Sequence, residues 1–125
     1  MNIYHQKLMD HYHHPRHKGV VATPSFSSHK HNPSCGDAIV WQGIVDDAGL
    51  LTAVAFQGSG CVISQATASL LADLVQHWSV NQIKTLSSPD VIKLIGIDLG
   101  PTRLMCALLP LHALQEGLCS IVVDS

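Results

Sequence analysis

The stretch Gly58-Ser59-Gly60-Cys61-Val62-Ile63-Ser64 sets two glycines before a cysteine and a serine after it, at the mouth of an apolar, alanine-rich run. Glycine admits positive φ and close backbone approach, and serine is a favourable N-cap. The stretch therefore predicts a turn that presents the Cys61 thiol, with Ser64 capping the helix behind it. The positive end of a helix favours thiolate over thiol, which suits metal ligation or sulfur chemistry. On its own, the same stretch also fits a buried, inert cysteine. Cys35 and Asp37 stand two residues apart at the entry to an extended segment, a spacing that puts their side chains on one face. Cys106 follows Arg103 at the start of the last helical segment. Three thiolates and one carboxylate make a four-coordinate donor set for a borderline or soft ion such as zinc or iron. No C-x-x-C pair is present, and the meeting of Cys106 with the others is an assumption of this reading. Cys119 has no acidic or histidine neighbour and reads as a packed or frayed-end thiol. His11, His13, His14 and His17 crowd one short window. Pro15 breaks the helix that would align them, so they read as solvated surface or local packing.

The elements that must position these groups follow from periodicity and punctuation. Ile3, Leu8, Met9 and Tyr12 mark a helix over about 3–13, ended by Pro15, because the residue before a proline is pushed out of α space. A Ser-, Pro- and His-rich loop runs from Gly19 to Ser34, with a short edge strand near Ser25 to His31. Ala38–Val45 and Leu50–Gln57 read as two strands joined by the turn Asp46-Asp47-Ala48-Gly49. Antiparallel pairing of that ribbon returns its end, Cys61, toward its start, Asp37. Leu70, Leu71, Leu74, Val75 and Trp78 mark a helix over about 65–77. Ser79 opens a short helix to about Lys84, and Ser88-Pro89-Asp90 opens another to about Leu94, with Pro89 at the favoured first position and Gly96 as the stop. Residues 101–118 are helical in composition but contain Pro110, which either kinks one helix or starts a shorter one. The expected fold class is α+β, one domain over 1–125, with a small antiparallel sheet of about three strands and helices packed on one side.

Composition narrows the partners. The chain has 125 residues, 46% of them hydrophobic and 13% charged, and a net charge of -2. That is enough apolar material for a core, and the seven Lys and Arg are scattered, so no basic stripe exists to neutralise phosphates. Nucleic acid is not an expected partner. No apolar run reaches the roughly 20 residues of a membrane span, and the first residues lack the order of a signal peptide, so no membrane partner is expected either. Cytoplasmic residence follows as an expectation, and four cysteines in a reducing compartment read as ligands or reactive thiols rather than disulfides.

Five separated segments, in order along nearly the whole chain, resemble a known family. They are Tyr4-His5-Gln6-Lys7-Leu8-Met9-Asp10-His11-Tyr12, then Pro15-Arg16 with Gly19, then Asn32-Pro33-Ser34-Cys35-Gly36-Asp37, then Gly60-Cys61-Val62-Ile63-Ser64 with Ala66, Ala68 and Ser69, and finally Arg103-Leu104-Met105-Cys106-Ala107. They look like the U-type iron–sulfur cluster scaffolds: IscU, SufU and the N-terminal domain of NifU. The resemblance implies an α+β fold and a job: accepting sulfur from a cysteine desulfurase, combining it with iron into a labile [2Fe-2S] cluster, and passing that cluster to apo iron–sulfur proteins. It implies Cys35, Cys61 and Cys106 as ligands and persulfide acceptors, with Asp37 as the carboxylate at the site.

The chain also departs from the pattern. Met105 stands where the IscU branch has a histidine before its third cysteine. Leu99-Gly100-Pro101-Thr102-Arg103 replaces the Leu-Pro-Pro-Val-Lys segment recognised by an Hsp70-type chaperone, which argues against delivery through that chaperone. The Arg-x-x-Cys ending is closer to SufU, whose members bind zinc at the same cysteines, yet only 44 residues separate Cys61 from Cys106, without that branch's insertion. Two other readings of the residues remain: a cysteine nucleophile in which His11 or His31 activates Cys61, and a structural zinc domain.

Overall fold

The structure, a computed structural model, describes residues 3–32, 36–119 and 121. Helix α1 (Ile3–His13) leads into a loop, followed by strands β1 (Phe26–Asn32), β2 (Asp37–Val45) and β3 (Leu51–Ser59). Four helices follow: α2 (Val62–Val75), α3 (Val80–Lys84), α4 (Ser88–Ile95) and α5 (Pro101–Leu118). The strands form one antiparallel sheet in the order β1-β2-β3. Helices α2 and α5 pack against each other and on one side of that sheet, as the sequence pattern predicts.

Strand β2 alternates between fully and partly buried positions, and Ile39 and Trp41 point into the core. Trp41 stacks at an angle on Phe56 of β3, ring centroids 5.6 Å apart. Its indole Nε1 donates to the Pro110 carbonyl at 2.9 Å, so a buried polar atom is satisfied without water. Leu71 and Val75 of α2 and Leu111, Leu114 and Leu118 of α5 close over these rings. A fully buried leucine contributes about 1.5–3 kcal/mol, which is what holds the sheet and the two helices in register. The β2–β3 turn is set by Asp46, whose Oδ1 accepts from the amides of Ala48 and Leu50 at 3.0 and 2.9 Å.

The helix starts show the expected chemistry and one exchange of roles. Ser79 and Gln82 form a reciprocal capping box at α3, and Gly96 ends α4 in the left-handed region. At α4 the cap is Ser87, not the expected Ser88, because the Asp90 carboxylate takes the Ser87 amide and hydroxyl at 2.8 and 2.9 Å, and Pro89 therefore stands second in the helix instead of first. Helix α2 begins earlier than the serine signal suggests. Cys61 is its N-cap, in extended conformation, and the Cys61 sulfur accepts from the Ser64 amide at 3.5 Å. Ser64 sits one turn in, its hydroxyl turned back to the Cys61 carbonyl at 3.2 Å. A sulfur can take the place of a capping oxygen because the preceding glycine turn delivers Cys61 already extended. Pro110 lies inside α5 and does not start a new helix. The ring removes one intrahelical donor, while the Trp41 contact and the burial of Leu109 and Leu111 keep the helix continuous.

Helix α1 is latched to α2 by a buried polar pair. His11 Nδ1 lies 2.8 Å from Ser69 Oγ, which also accepts the Arg16 amide at 2.8 Å. A hydroxyl that already accepts from Arg16 serves His11 by donating to Nδ1, which calls for the neutral ring. Burial pushes the His11 pKa below its usual range, and the nearby Arg16 charge adds to this. The neutral form is thus favoured by folding, so this contribution is complete above the unfolded value of about 6.5 and is lost as pH falls through it toward the lowered native value. Melting temperatures measured from pH 8 down to pH 5 should fall more for the parent protein than for His11→Gln, which keeps an amide for Ser69 but does not titrate. Parallel decline of the two would remove His11 as the source.

Candidate metal and sulfur site

The register of the β2–β3 ribbon builds the centre of the site. Ala38 pairs with Ser59, so Asp37 at the start of β2 faces the turn that leaves β3. Gly60 makes that turn at φ +122°, a region L side chains rarely adopt. A Cβ at Gly60 would run into the Asp37 carboxylate, so the close approach requires glycine as much as the dihedral does. Asp37 Oδ1 accepts the Cys61 amide at 2.6 Å, and Oδ2 lies 3.4 Å from Cys61 Sγ. The carboxylate is fully buried, yet it is held by a charge-assisted backbone bond at the open end of a helix, the kind of partner a buried anion needs.

Helix α5 brings the second sulfur. Cys106 is 4% exposed, and one ligand atom each from Asp37, Cys61 and Cys106 lie within 4.8 Å of one another. Among the described residues this is the one group of three or more metal-ligating side chains at such distances. Zinc with Zn–S bonds of about 2.3 Å sets tetrahedral ligand atoms about 3.8 Å apart, so roughly 1 Å of side-chain closure fits an ion. Two sulfurs and a carboxylate oxygen are a donor set for zinc or iron, with a fourth position to fill.

Of the residues singled out in the sequence, Asp37, Cys61 and Cys106 come together, and Cys35 lies outside the described residues. Cys119 is exposed as the C-cap of α5, apart from that group. The histidines do not assemble a metal group among the described residues. His11 is committed to Ser69, and His31 lies on the exposed side of β1, stacked on His29 at 6.1 Å. The hydrogen-bonding partners of Cys61 Sγ are Asp37 and Ser64, so no imidazole serves it as a base among the described residues. Met105, in place of a histidine, is 59% exposed.

Sequence reasoning missed Gln65. Its Nε2 donates to Ser59 O at 3.1 Å and to Ser64 Oγ at 3.2 Å, bracketing the thiol-bearing turn from both sides. A glutamine in the first turn of a helix carries no signal of that kind.

The sequence profile described as "NifU-like N terminal domain" matches residues 3–121. The chain belongs to this family. Among similar proteins, the NifU-like domain described here is 31% identical to the zinc-dependent sulfurtransferase SufU of Bacillus subtilis strain 168, over 92% of this chain and 88% of that protein. It is 27% identical to the iron–sulfur cluster assembly scaffold protein IscU of Escherichia coli K12, over 92% of this chain and 91% of that protein. Its fold matches the N-terminal part of a nitrogen-fixing NifU-like protein from Brucella abortus with a TM-score of 0.77, at 19% identity, over 95% of this chain and 94% of that one. No helix among the described residues of the NifU-like domain is long and apolar enough to cross a membrane.

Proposed function

We propose that this chain is an iron–sulfur cluster assembly scaffold: it accepts sulfur from a cysteine desulfurase, builds a labile [2Fe-2S] cluster on Cys35, Asp37, Cys61 and Cys106, and hands it to apo-proteins. The observation that carries the reading is the approach of one donor atom each from Asp37, Cys61 and Cys106 to within 4.8 Å. Each group has a distinct part. Cys61, at the helix N-cap with the Ser64 amide aimed at its sulfur, is the thiol set up to receive sulfur. Cys106 supplies a second soft ligand from the opposite wall. Asp37 supplies a harder, more weakly held oxygen, which suits a site that must release what it binds. The bound cluster is cargo, and the protein's contribution is to hold iron and sulfide in a donor set that lets go.

A second reading, a zinc-bound sulfur acceptor of the SufU kind, is favoured by the 31% identity to SufU and by the zinc-sized gap between the donors. Protein purified in air should contain zinc or no metal, because zinc accepts this donor set as a tetrahedron and a cluster with an oxygen ligand is open to oxygen and chelators. Iron and sulfide at about two each per chain, with visible absorption bands, would overturn that expectation and favour the cluster scaffold outright. The decisive experiment is anaerobic reconstitution with iron, cysteine and a desulfurase, followed by visible absorption, beside metal analysis of the untreated protein. Desulfurase stimulation without any cluster would establish the sulfur-acceptor reading.

Asp37→Ala separates carboxylate chemistry from thiol chemistry. The reconstituted variant should keep its cluster longer and transfer it more slowly to an acceptor. Stability should drop by about 1–3 kcal/mol, since the Cys61 amide loses its buried acceptor. Faster transfer from the variant would contradict the role given to Asp37.

A further inference from the structure

Cys61 and Cys106 differ in access although their sulfurs are neighbours. Cys61 is half-buried at the N-cap of α2, Cys106 on the opposite wall is buried, and the two sulfurs lie within 4.8 Å of each other. Neither takes part in a disulfide. A disulfide sets its sulfurs about 2.05 Å apart, so at most about 2.8 Å of approach, shared between two side chains, separates this pair from a bond. A thiol open to an incoming reagent, with a buried thiol behind it, is an arrangement in which the second resolves what the first picks up.

The sulfur that a scaffold receives must also change its oxidation state. The outer sulfur of a persulfide is at the level of the element, whereas the bridging atoms of an iron–sulfur cluster are sulfide, reached by a two-electron reduction. Two thiols that close to a disulfide give up that many electrons. Position decides which sulfur Cys106 meets. A sulfur delivered from solvent adds on the open side of Cys61, and Cys106 stands on the buried side. The Cys106 sulfur therefore faces Cys61 Sγ, the inner atom of the persulfide, with the S–S bond leading away from it.

We infer that the Cys61–Cys106 pair is itself the reductant for sulfur delivered to Cys61 and releases it as sulfide. This activity rests on the reading of Cys61 as the sulfur acceptor. In the step, the Cys106 sulfur attacks Cys61 Sγ, a Cys61–Cys106 disulfide forms, and the bond to the outer sulfur breaks. The outer sulfur leaves with the electron pair and takes the proton that the Cys106 thiol gave up. Cys61 persulfide anion and Cys106 thiol thus become the Cys61–Cys106 disulfide and hydrosulfide: the delivered sulfur is reduced by two electrons and the two cysteine sulfurs together are oxidised by two. A disulfide sulfur is not a thiolate ligand, so an external thiol reopens the pair before metal binds.

The test loads the full chain, kept free of metal by a chelator and free of other thiols, with inorganic polysulfide, removes the excess, and follows each cysteine by alkylation and mass spectrometry. Cys61 should first gain one sulfur, about 32 Da, and then become linked to Cys106 while an equal amount of hydrosulfide appears in solution. In Cys106→Ser, which keeps the shape of the buried side chain, the added sulfur should stay on Cys61 at least about ten times longer, because the intramolecular partner is gone. Cys119→Ala should match the parent. A second arm, with oxidised glutathione, needs no persulfide: the parent should end as the Cys61–Cys106 disulfide with glutathione released, and Cys106→Ser should keep glutathione on Cys61. Sulfur or glutathione that persists on Cys61 of the parent, closure onto Cys35 instead, or equal lifetimes in parent and Cys106→Ser would each overturn the inference. Sulfur that never appears on Cys61, even in Cys106→Ser, while glutathione still closes the pair, would bring down the acceptor reading and this step with it.

Discussion

Replacing Cys61 by alanine is expected to abolish metal loading at ordinary concentrations, whereas Cys119→Ala is expected to leave it untouched. Apparent zinc binding energies of about 10–16 kcal/mol shared among four ligands assign about 3 kcal/mol to each, or about two orders of magnitude in affinity. Cys61 should exceed that share, because its backbone amide also holds Asp37 at 2.6 Å and its sulfur caps α2. Loss of the residue removes a ligand and loosens a second one. Cys35→Ala and Cys106→Ala should show the ordinary loss. Competition against a chromophoric zinc chelator, with metal content by mass spectrometry, reads all four variants. Full stoichiometry in Cys61→Ala would remove the centre of the proposal.

The second large effect should come from Gly60→Ala, which leaves every proposed ligand in place. At φ +122° a side chain brings about 1–3 kcal/mol of backbone strain. The new Cβ also meets the Asp37 carboxylate, so either the turn or the carboxylate must move. A fall in melting temperature of roughly 10 °C follows from about 4 °C per kcal/mol in a chain of this size. Zinc affinity should fall about 10–100-fold, the usual consequence of disturbing what orients a ligand. Gly100→Ala is the control: its Cβ would meet nothing within 4 Å and its φ is -69°. As an N-cap change it should stay within about 1 kcal/mol and leave zinc affinity alone. A Gly60→Ala protein that melts and binds like the parent would show that the turn relaxes freely and does not fix Asp37 against Cys61.

Local signals were the most legible part of this sequence. Pro15, Ser79 and Gly96 mark helix ends by local backbone chemistry, and the end of α1, the start of α3 and the end of α4 lie where those signals put them, while the cap of α4 falls on Ser87, one residue before the expected Ser88. The ribbon was legible because Asp46 and Gly49 fix its turn, and its register then brings Asp37 opposite Gly60. The start of α2 was misread because serine is a much stronger cap than cysteine as a residue type, while the choice between Cys61 and Ser64 was made by the backbone arriving from Gly60. The meeting of Cys106 with Cys61 could only be assumed, since no pattern spans the distance between α2 and α5, and it depends on how Trp41 and Phe56 seat both helices on the sheet. The part played by Gln65 depends on two oxygens, of Ser59 and Ser64, that a sequence pattern does not place in space.

Pro110 has a consequence for how Cys106 is held. A helix ties each carbonyl to the amide four residues ahead, and at the Cys106 carbonyl that amide belongs to a proline and is missing. Beyond Pro110, α5 is moored: Trp41 grips the Pro110 carbonyl, Ser28 the Ala113 carbonyl, and Gln115 reaches the carbonyls of Ile83 and Leu86. Before Pro110, Ala107 and Leu109 hold the helix by packing in the core. The break therefore sets the side-chain moorings of α5 at and beyond Pro110, away from Cys106, so the ångström or so of closure around an ion can be taken up in the turn that carries the sulfur while the anchored half behind it stays still.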